Sequence, residues 1–293
     1  MIVENKNKNN NNKQINKSSP QNLQNNSNNN LNKVKNLFLS NQHSIYVSIK
    51  EFVLTVLYAI VFATLTKSFF YENFKIPSGS MFPTLLIGDR VLVNKYYYGY
   101  SKVSFPFQIL PIKDRILSNR SPQYGDLVVF KIPREVELGK DIFYVKRVVG
   151  LPGDEIKIIN GNIFVNNQEL RYDFVKNLEP KEGDNQNQFS VKAYEETNLS
   201  NRKYTIFIGN QFSEMNNTST YTVPSESYFG MGDNRDNSKD SRFAEMGFIP
   251  FKYIVGKAEY IFFSIKDNVQ IDFLQLHTLL RDNRFFVKLT NNN

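Results

Sequence analysis

Fifteen consecutive residues, Phe52 to Thr66 (FVLTVLYAIVFATLT), carry no charge. Few features restrict a fold as strongly, because such a run has to be hidden from water. Twenty helical residues span about 30 Å, the thickness of a bilayer's hydrocarbon core. Extending the run to Tyr71 adds Phe69, Phe70 and Tyr71, plus Lys67, whose ammonium can snorkel to the interface. A buried core helix and a cleaved signal peptide are the alternatives. The run is longer than most signal-peptide apolar regions, and no small-x-small cleavage site follows it. Residues 46–71 therefore read as a single transmembrane anchor. Lysines on its N-terminal side and a belt of Tyr and Phe predict the N-terminus in the cytoplasm, with everything after Tyr71 across the membrane.

The charge distribution agrees with this topology. The formal net charge is +8. Residues 1–50 hold seven Lys, no Arg and one Glu, a net of +6 that leaves +2 for the rest. The basicity thus belongs mostly to residues 1–45, an Asn- and Lys-rich stretch with too little apolar surface to offset chain entropy, which reads as a disordered cytoplasmic tail. Nucleic acid is not expected as a partner, since nothing but that tail supports it. Cysteine is absent, which excludes disulfides, thiolate nucleophiles and Cys-ligated zinc. The two histidines, His43 and His277, are far apart in sequence, so a His-rich metal site is not expected, and any catalysis would have to avoid a His base or use one of those two.

From residue 76 the pattern is mainly β. Short β-branched and aromatic runs at Asp89–Asn94, Asp126–Ile132, Ile142–Val149, Glu155–Ile159 and Asn162–Val165 are bounded by Gly-Asp, Pro-Gly-Asp and Asn-Gly turns. Strand-like sequence resumes at Tyr221–Val223 and Tyr253–Ser264. Residues 171–220 are richer in Asn, Glu, Lys and Gln and read as an inserted β-rich subdomain, with one strand at Lys203–Ile208. The expected fold is mainly β: an antiparallel domain formed by 72–170 and 221–268, interrupted by that insertion and preceded by one transmembrane helix. Residues 269–293 form a C-terminal tail, with helical spacing over Ile271–Leu280.

Three segments carry chemistry. In Ile76-Pro77-Ser78-Gly79-Ser80-Met81-Phe82-Pro83-Thr84-Leu85, a Ser follows Gly between two prolines, in a rigid turn able to present a hydroxyl. Most Pro/Ser/Gly runs are ordinary loops, and that reading stays open. On the strand Tyr144-Val145-Lys146-Arg147-Val148, alternation puts Lys146 with Tyr144 and Val148, and Arg147 with Phe143 and Val145. The two cations are either solvated edge-strand residues, or Lys146 is buried. Burial lowers a lysine's pKa toward neutrality, and a neutral amine can take a proton from a serine. The third segment, Gly232-Asp233-Asn234-Arg235-Asp236-Asn237-Ser238-Lys239-Asp240-Ser241-Arg242, is a surface turn, a calcium loop or a hydrogen-bonded support network. Its two arginines oppose a dication, and no Glu closes it at the EF-hand position, which favours the network.

Together, in this order and behind one anchor, these segments resemble the characteristic boxes of bacterial type I signal peptidases, membrane-anchored Ser–Lys endopeptidases. Tyr124-Gly125-Asp126-Leu127-Val128-Val129-Phe130 matches a fourth box, and Phe248–Pro250 with Val255–Ala258 also fits. The likeness covers 52–170 and 222–265. It implies Ser80 as nucleophile, Lys146 as general base, and the Ser78 hydroxyl beside the Ser80 N–H as oxyanion hole. Ser238 is implied to hydrogen-bond and orient the lysine, Asp240 and Arg242 to form a supporting salt bridge, and Tyr144 to flank the base. Phe74, Ile76, Pro77, Met81, Leu85 and Val145 are implied to line small apolar substrate pockets selecting Ala-x-Ala. No metal or organic cofactor is implied. The implied partners are preprotein signal peptides, the phospholipid membrane and, indirectly, the export machinery. The implied place is the cytoplasmic membrane, with the catalytic domain on its outer side. An autoproteolytic repressor is disfavoured because no DNA-binding helix pair precedes the domain. A non-catalytic tethered β module is disfavoured by the joint presence of Ser80, Lys146 and Ser238.

Overall fold

The structure, a computed structural model, describes residue 35 and residues 46–289 apart from 65, 67–68, 106–111, 134–135, 137, 140–141, 179–190, 210–213 and 267–278. Most of the expected tail, the centre of the insertion, both histidines and most of the expected helix Ile271–Leu280 lie outside the described residues. The chain divides into two compact units, Met1–Ala63 and Thr64–Asn293. Helix α1 (Tyr46–Thr64), which belongs to the first except for its last residue, is long and apolar enough to cross a membrane, and none of its apolar window is buried by protein. Such a surface is stable only against lipid or another apolar partner. The expected anchor ran to Tyr71, but Tyr71 is already the first residue of a strand, paired with Asn94.

The second unit is mainly β, as its patterning predicts. Its strands are β1 (Tyr71–Lys75), β2 (Asp89–Asn94), β3 (Leu127–Phe130), β4 (Tyr144–Gly150), β5 (Glu155–Ile159), β6 (Asn162–Val165), β7 (Gln168–Glu169), β8 (Arg171–Leu178), β9 (Val191–Thr197), β10 (Lys203–Gly209), β11 (Tyr221–Thr222), β12 (Ser227–Met231), β13 (Ile249–Pro250), β14 (Ile254–Ser264) and β15 (Val287–Lys288). The main sheet runs β1-β2-β14-β3-β4-β12-β13, with β15 added on β14. A second sheet is β11-β5-β6-β7, and the insertion forms a third, β10-β9-β8. All pairings between these strands are antiparallel.

The Gly-Asp turns share one construction. Gly88, Gly125 and Gly153 take φ of 91°, 86° and 88°, a region that a Cβ disfavours. The aspartate that follows each one then accepts the backbone N–H three residues back: Asp89 from Leu86 (2.8 Å), Asp126 from Gln123 (3.1 Å) and Asp154 from Leu151 (2.7 Å). Each turn thereby delivers the chain into β2, β3 or β5 with its donors satisfied.

The alternation read from β4 is realised in the packing. Phe143 and Val145 pack against a cluster containing Ile76, Met81, Leu85, Val91 and Val129. Tyr144 packs with Val148 in another, with Val128, Phe130 and Ile249. The strand is thus sandwiched between two apolar layers, which is why both of its cations are buried. Near the C-terminus Leu280 bridges Ile265, and β15 joins the main sheet, an addition that the sequence pattern does not signal.

Candidate active site

Ser80 sits in a single 3₁₀ turn, Gly79–Met81, entered from Ser78 in extended conformation. The turn is closed by the Phe82 N–H donating to Gly79 O (3.1 Å). Gly79 is required there, because a Cβ would lie 2.8 Å from the Phe82 ring. The side away from Ser80 is seated by Met81 and Leu85, both fully buried. Ser78 is exposed, and its hydroxyl makes no capping bond to the turn.

Lys146 reaches the same point from β4. Its Nζ is hydrogen-bonded to Ser80 Oγ at 3.0 Å. The residue is 3% exposed. Burial is the main cause that lowers its pKa, to about 8; Asp240 and Asp233 act in the opposite direction, and Arg242 adds to the lowering. Those two carboxylates do not neutralise it directly. Asp233 is paired with Arg147 at 2.6 Å and Asp240 with Arg242 at 2.8 Å. Both ionic demands are met elsewhere, so the amine can lose its proton near neutrality.

The third segment is folded against the Ser80 turn. The Asn234 N–H donates to Ser80 O (3.1 Å), and its side-chain amide donates to Gly79 O (3.1 Å). Gly232 permits this approach: a Cβ on it would fall 2.5 Å from Ser80 O and 2.2 Å from Ser238 Oγ. Asp240 accepts from the Gly232 N–H (3.0 Å) while Arg242 holds it from the other side. This network uses the carboxylates that a calcium loop would need.

A cleft of about 470 Å³ opens beside Ser80 and Lys146. Phe74, Ile76, Pro77, Ser78, Tyr144 and Val145 line it, and the rings of Phe74 and Phe143 meet at 4.7 Å. Two expectations are corrected here. Met81 and Leu85 do not line the cleft; they are core residues, because the turn that exposes Ser80 needs its opposite side anchored. Ser238 lies buried, but its Oγ has no hydrogen-bond partner among the described residues, so the implied bond to Lys146 is not made.

The family described as Signal peptidase, peptidase S26 matches residues 49–263. The chain belongs to the signal peptidase family. A signal peptidase I of Rickettsia akari (strain Hartford) is 36% identical over 219 residues, covering 72% of this chain and 78% of the relative. That of Rickettsia typhi (strain ATCC VR-144 / Wilmington) is 34% identical over 227 residues, covering 75% and 82%. A solved signal peptidase I from Enterococcus faecalis V583 is 24% identical, with a TM-score of 0.27, covering 48% of this chain and 98% of that one. As a member of the signal peptidase family this chain is a serine endopeptidase.

Several residues of this candidate site escape a reading of the sequence. Arg147, adjacent to Lys146, bonds Asp233 through two nitrogens and Gly125 O through a third. Its Nη2 also donates to the Thr84 hydroxyl (3.2 Å), which in turn donates to Asp233 (2.5 Å). Strand alternation places Arg147 away from Lys146 but does not say what it meets. Asn237 and Lys239 join the cleft lining, although their segment is remote in sequence.

Proposed function

We propose that this protein removes N-terminal signal peptides from exported preproteins by Ser–Lys chemistry at the outer face of the cytoplasmic membrane. The observation that carries this reading is the 3.0 Å contact between Ser80 Oγ and a buried Lys146 whose pKa is lowered to about 8. Neutral Lys146 takes the Ser80 proton as Oγ attacks the scissile carbonyl. The oxyanion develops beside the Ser80 N–H and the Ser78 hydroxyl, donors that act on charge present only in the transition state. The protonated lysine gives its proton to the leaving amine, and water then hydrolyses the acyl-enzyme with the same amine as base. Metal and organic cofactors have no part in this sequence of steps.

Specificity follows from the cleft. Phe74, Ile76, Pro77 and Val145 make its wall apolar, suited to small side chains such as those of an Ala-x-Ala site. Strand β1 is at the edge of the main sheet and leads directly into the cleft, so an extended substrate can add alongside it. Helix α1 holds the domain at the membrane where signal peptides emerge; the export machinery is an indirect partner.

The test uses detergent-solubilised full-length protein and a preprotein with an Ala-x-Ala site. The Ser80→Ala and Lys146→Ala variants are each expected to lose cleavage by about a hundredfold or more. Full-rate cleavage by either one would sink the mechanism.

A further inference from the structure

Composition gives the insertion no role, yet two of its strands touch the catalytic segments. Phe207 of β10 and Val191 and Ala193 of β9 form one apolar cluster with Phe82, against which Leu86 and Ile87 pack. Phe82 is the residue that closes the Ser80 turn. The Tyr204 ring of β10 lies under the Arg147 guanidinium at 3.9 Å. Its hydroxyl donates to Glu196 of β9 (2.5 Å), and Glu196 pairs with Arg235 at 2.6 Å. A direct backbone link completes the junction: the Phe207 N–H donates to Asp233 O (2.8 Å), and Phe207 bridges Asn234.

These contacts converge on the backbone that carries the nucleophile. Asn234 bonds the carbonyls of Ser80 and Gly79, and Arg147 directly follows Lys146 in β4. Tyr204, Glu196, Arg147, Asp233 and Arg235 are all buried, so water cannot fill in for a lost contact. Close-packed interiors pass on displacements rather than absorbing them. A misplacement of about 1 Å at reacting groups costs about a hundredfold in rate.

We propose that the inserted sheet β8–β10 is a positioning element for Ser80 and Lys146, acting through Phe207 on the nucleophile turn and through Tyr204 on Arg147. This rests on the Ser–Lys reading above. Neither residue lines the substrate cleft, so the effect belongs to kcat and not to KM.

The full-length protein in detergent is assayed with the same preprotein for kcat and KM, alongside melting temperature. The variants are Tyr204→Phe, Tyr204→Leu and the series Phe207→Leu, Phe207→Val and Phe207→Ala. Phe174→Ala is the control, since Phe174 lies exposed on the same inserted sheet and its ring meets Tyr194. Tyr204→Leu and Phe207→Ala are expected to lower kcat about tenfold to a hundredfold with KM within about twofold. Along the series, kcat falls with side-chain size. Tyr204→Phe keeps a ring under Arg147 but leaves buried Glu196 without that donor, so its loss of kcat is expected to fall between wild type and Tyr204→Leu, while Phe174→Ala stays within about threefold of wild type. Should Phe207→Ala melt below the assay temperature, the folded Leu and Val variants decide. Wild-type kcat in the folded variants, a change confined to KM, or an equal loss in Phe174→Ala overturns the positioning role. Ser80→Ala is run in parallel: if it is inactive while the inserted-sheet variants are normal, only the positioning role fails. An inactive wild type, or an active Ser80→Ala, refutes the reading beneath it.

Discussion

At the scale of single residues, the proposed chemistry turns on Lys146. Its nitrogen is a base only when neutral, and burial brings its pKa to about 8. Below that value the amine is increasingly protonated. The kcat/KM profile of the full chain is therefore expected to fall about tenfold per pH unit on the acid side of about 8. A profile flat into acid would remove lysine from the role of base. Next to it, Arg147 and Asp233 form a pair that is 3% and 0% exposed. Asp233→Ala leaves a buried guanidinium without its counter-ion. Stability is expected to drop by about 3–5 kcal/mol in denaturant unfolding, with activity lost as well. The sequence displays both members of this pair, but only the fold brings them within contact.

At the scale of elements, the Gly-Asp turns set how each strand begins. Gly153 and Gly88 share a positive φ but differ in surroundings. A Cβ at Gly153 would meet nothing within 4 Å, whereas at Gly88 it would fall 2.2 Å from Ile265 O. Gly153→Ala is expected to cost only the left-handed backbone strain, about 1–2 kcal/mol. Gly88→Ala is expected to cost more, because the chain around Ile265 must also move. Equal shifts in the two unfolding midpoints would contradict this account. Strand β4 teaches a related lesson. Its alternation is visible in the sequence, but an isolated strand does not reveal that apolar layers cover both of its faces.

At the scale of the whole molecule, the proposed function assigns the membrane to α1 and catalysis to the β domain. The absence of cysteine makes orientation directly testable, because a single introduced thiol is the sole labelling site. Lys176→Cys, at an exposed position of β8, is expected to react with a membrane-impermeant maleimide added to spheroplasts. Lys35→Cys, N-terminal to the helix, is expected to react only after the membrane is breached. The opposite pattern would invert the proposed topology.

The apolar run, the Gly-Asp turns, the β alternation and the segments around Ser80 and Lys146 are local properties, set by side-chain type and spacing within a few residues. For that reason the mainly β class, and the segments in which Ser80 and Lys146 stand out, are legible in the chain itself. What depends on distant pairing is not. The meeting of residues 80, 146 and 234 depends on strand order, and the burial of Met81 and Leu85 depends on which side of a turn the core occupies. The unpartnered Ser238 Oγ and the Tyr204 ring under Arg147 are likewise outcomes of packing. Contacts across a hundred residues carry no local periodicity; they exist only once the sheets have assembled, and so the tertiary structure alone decides them.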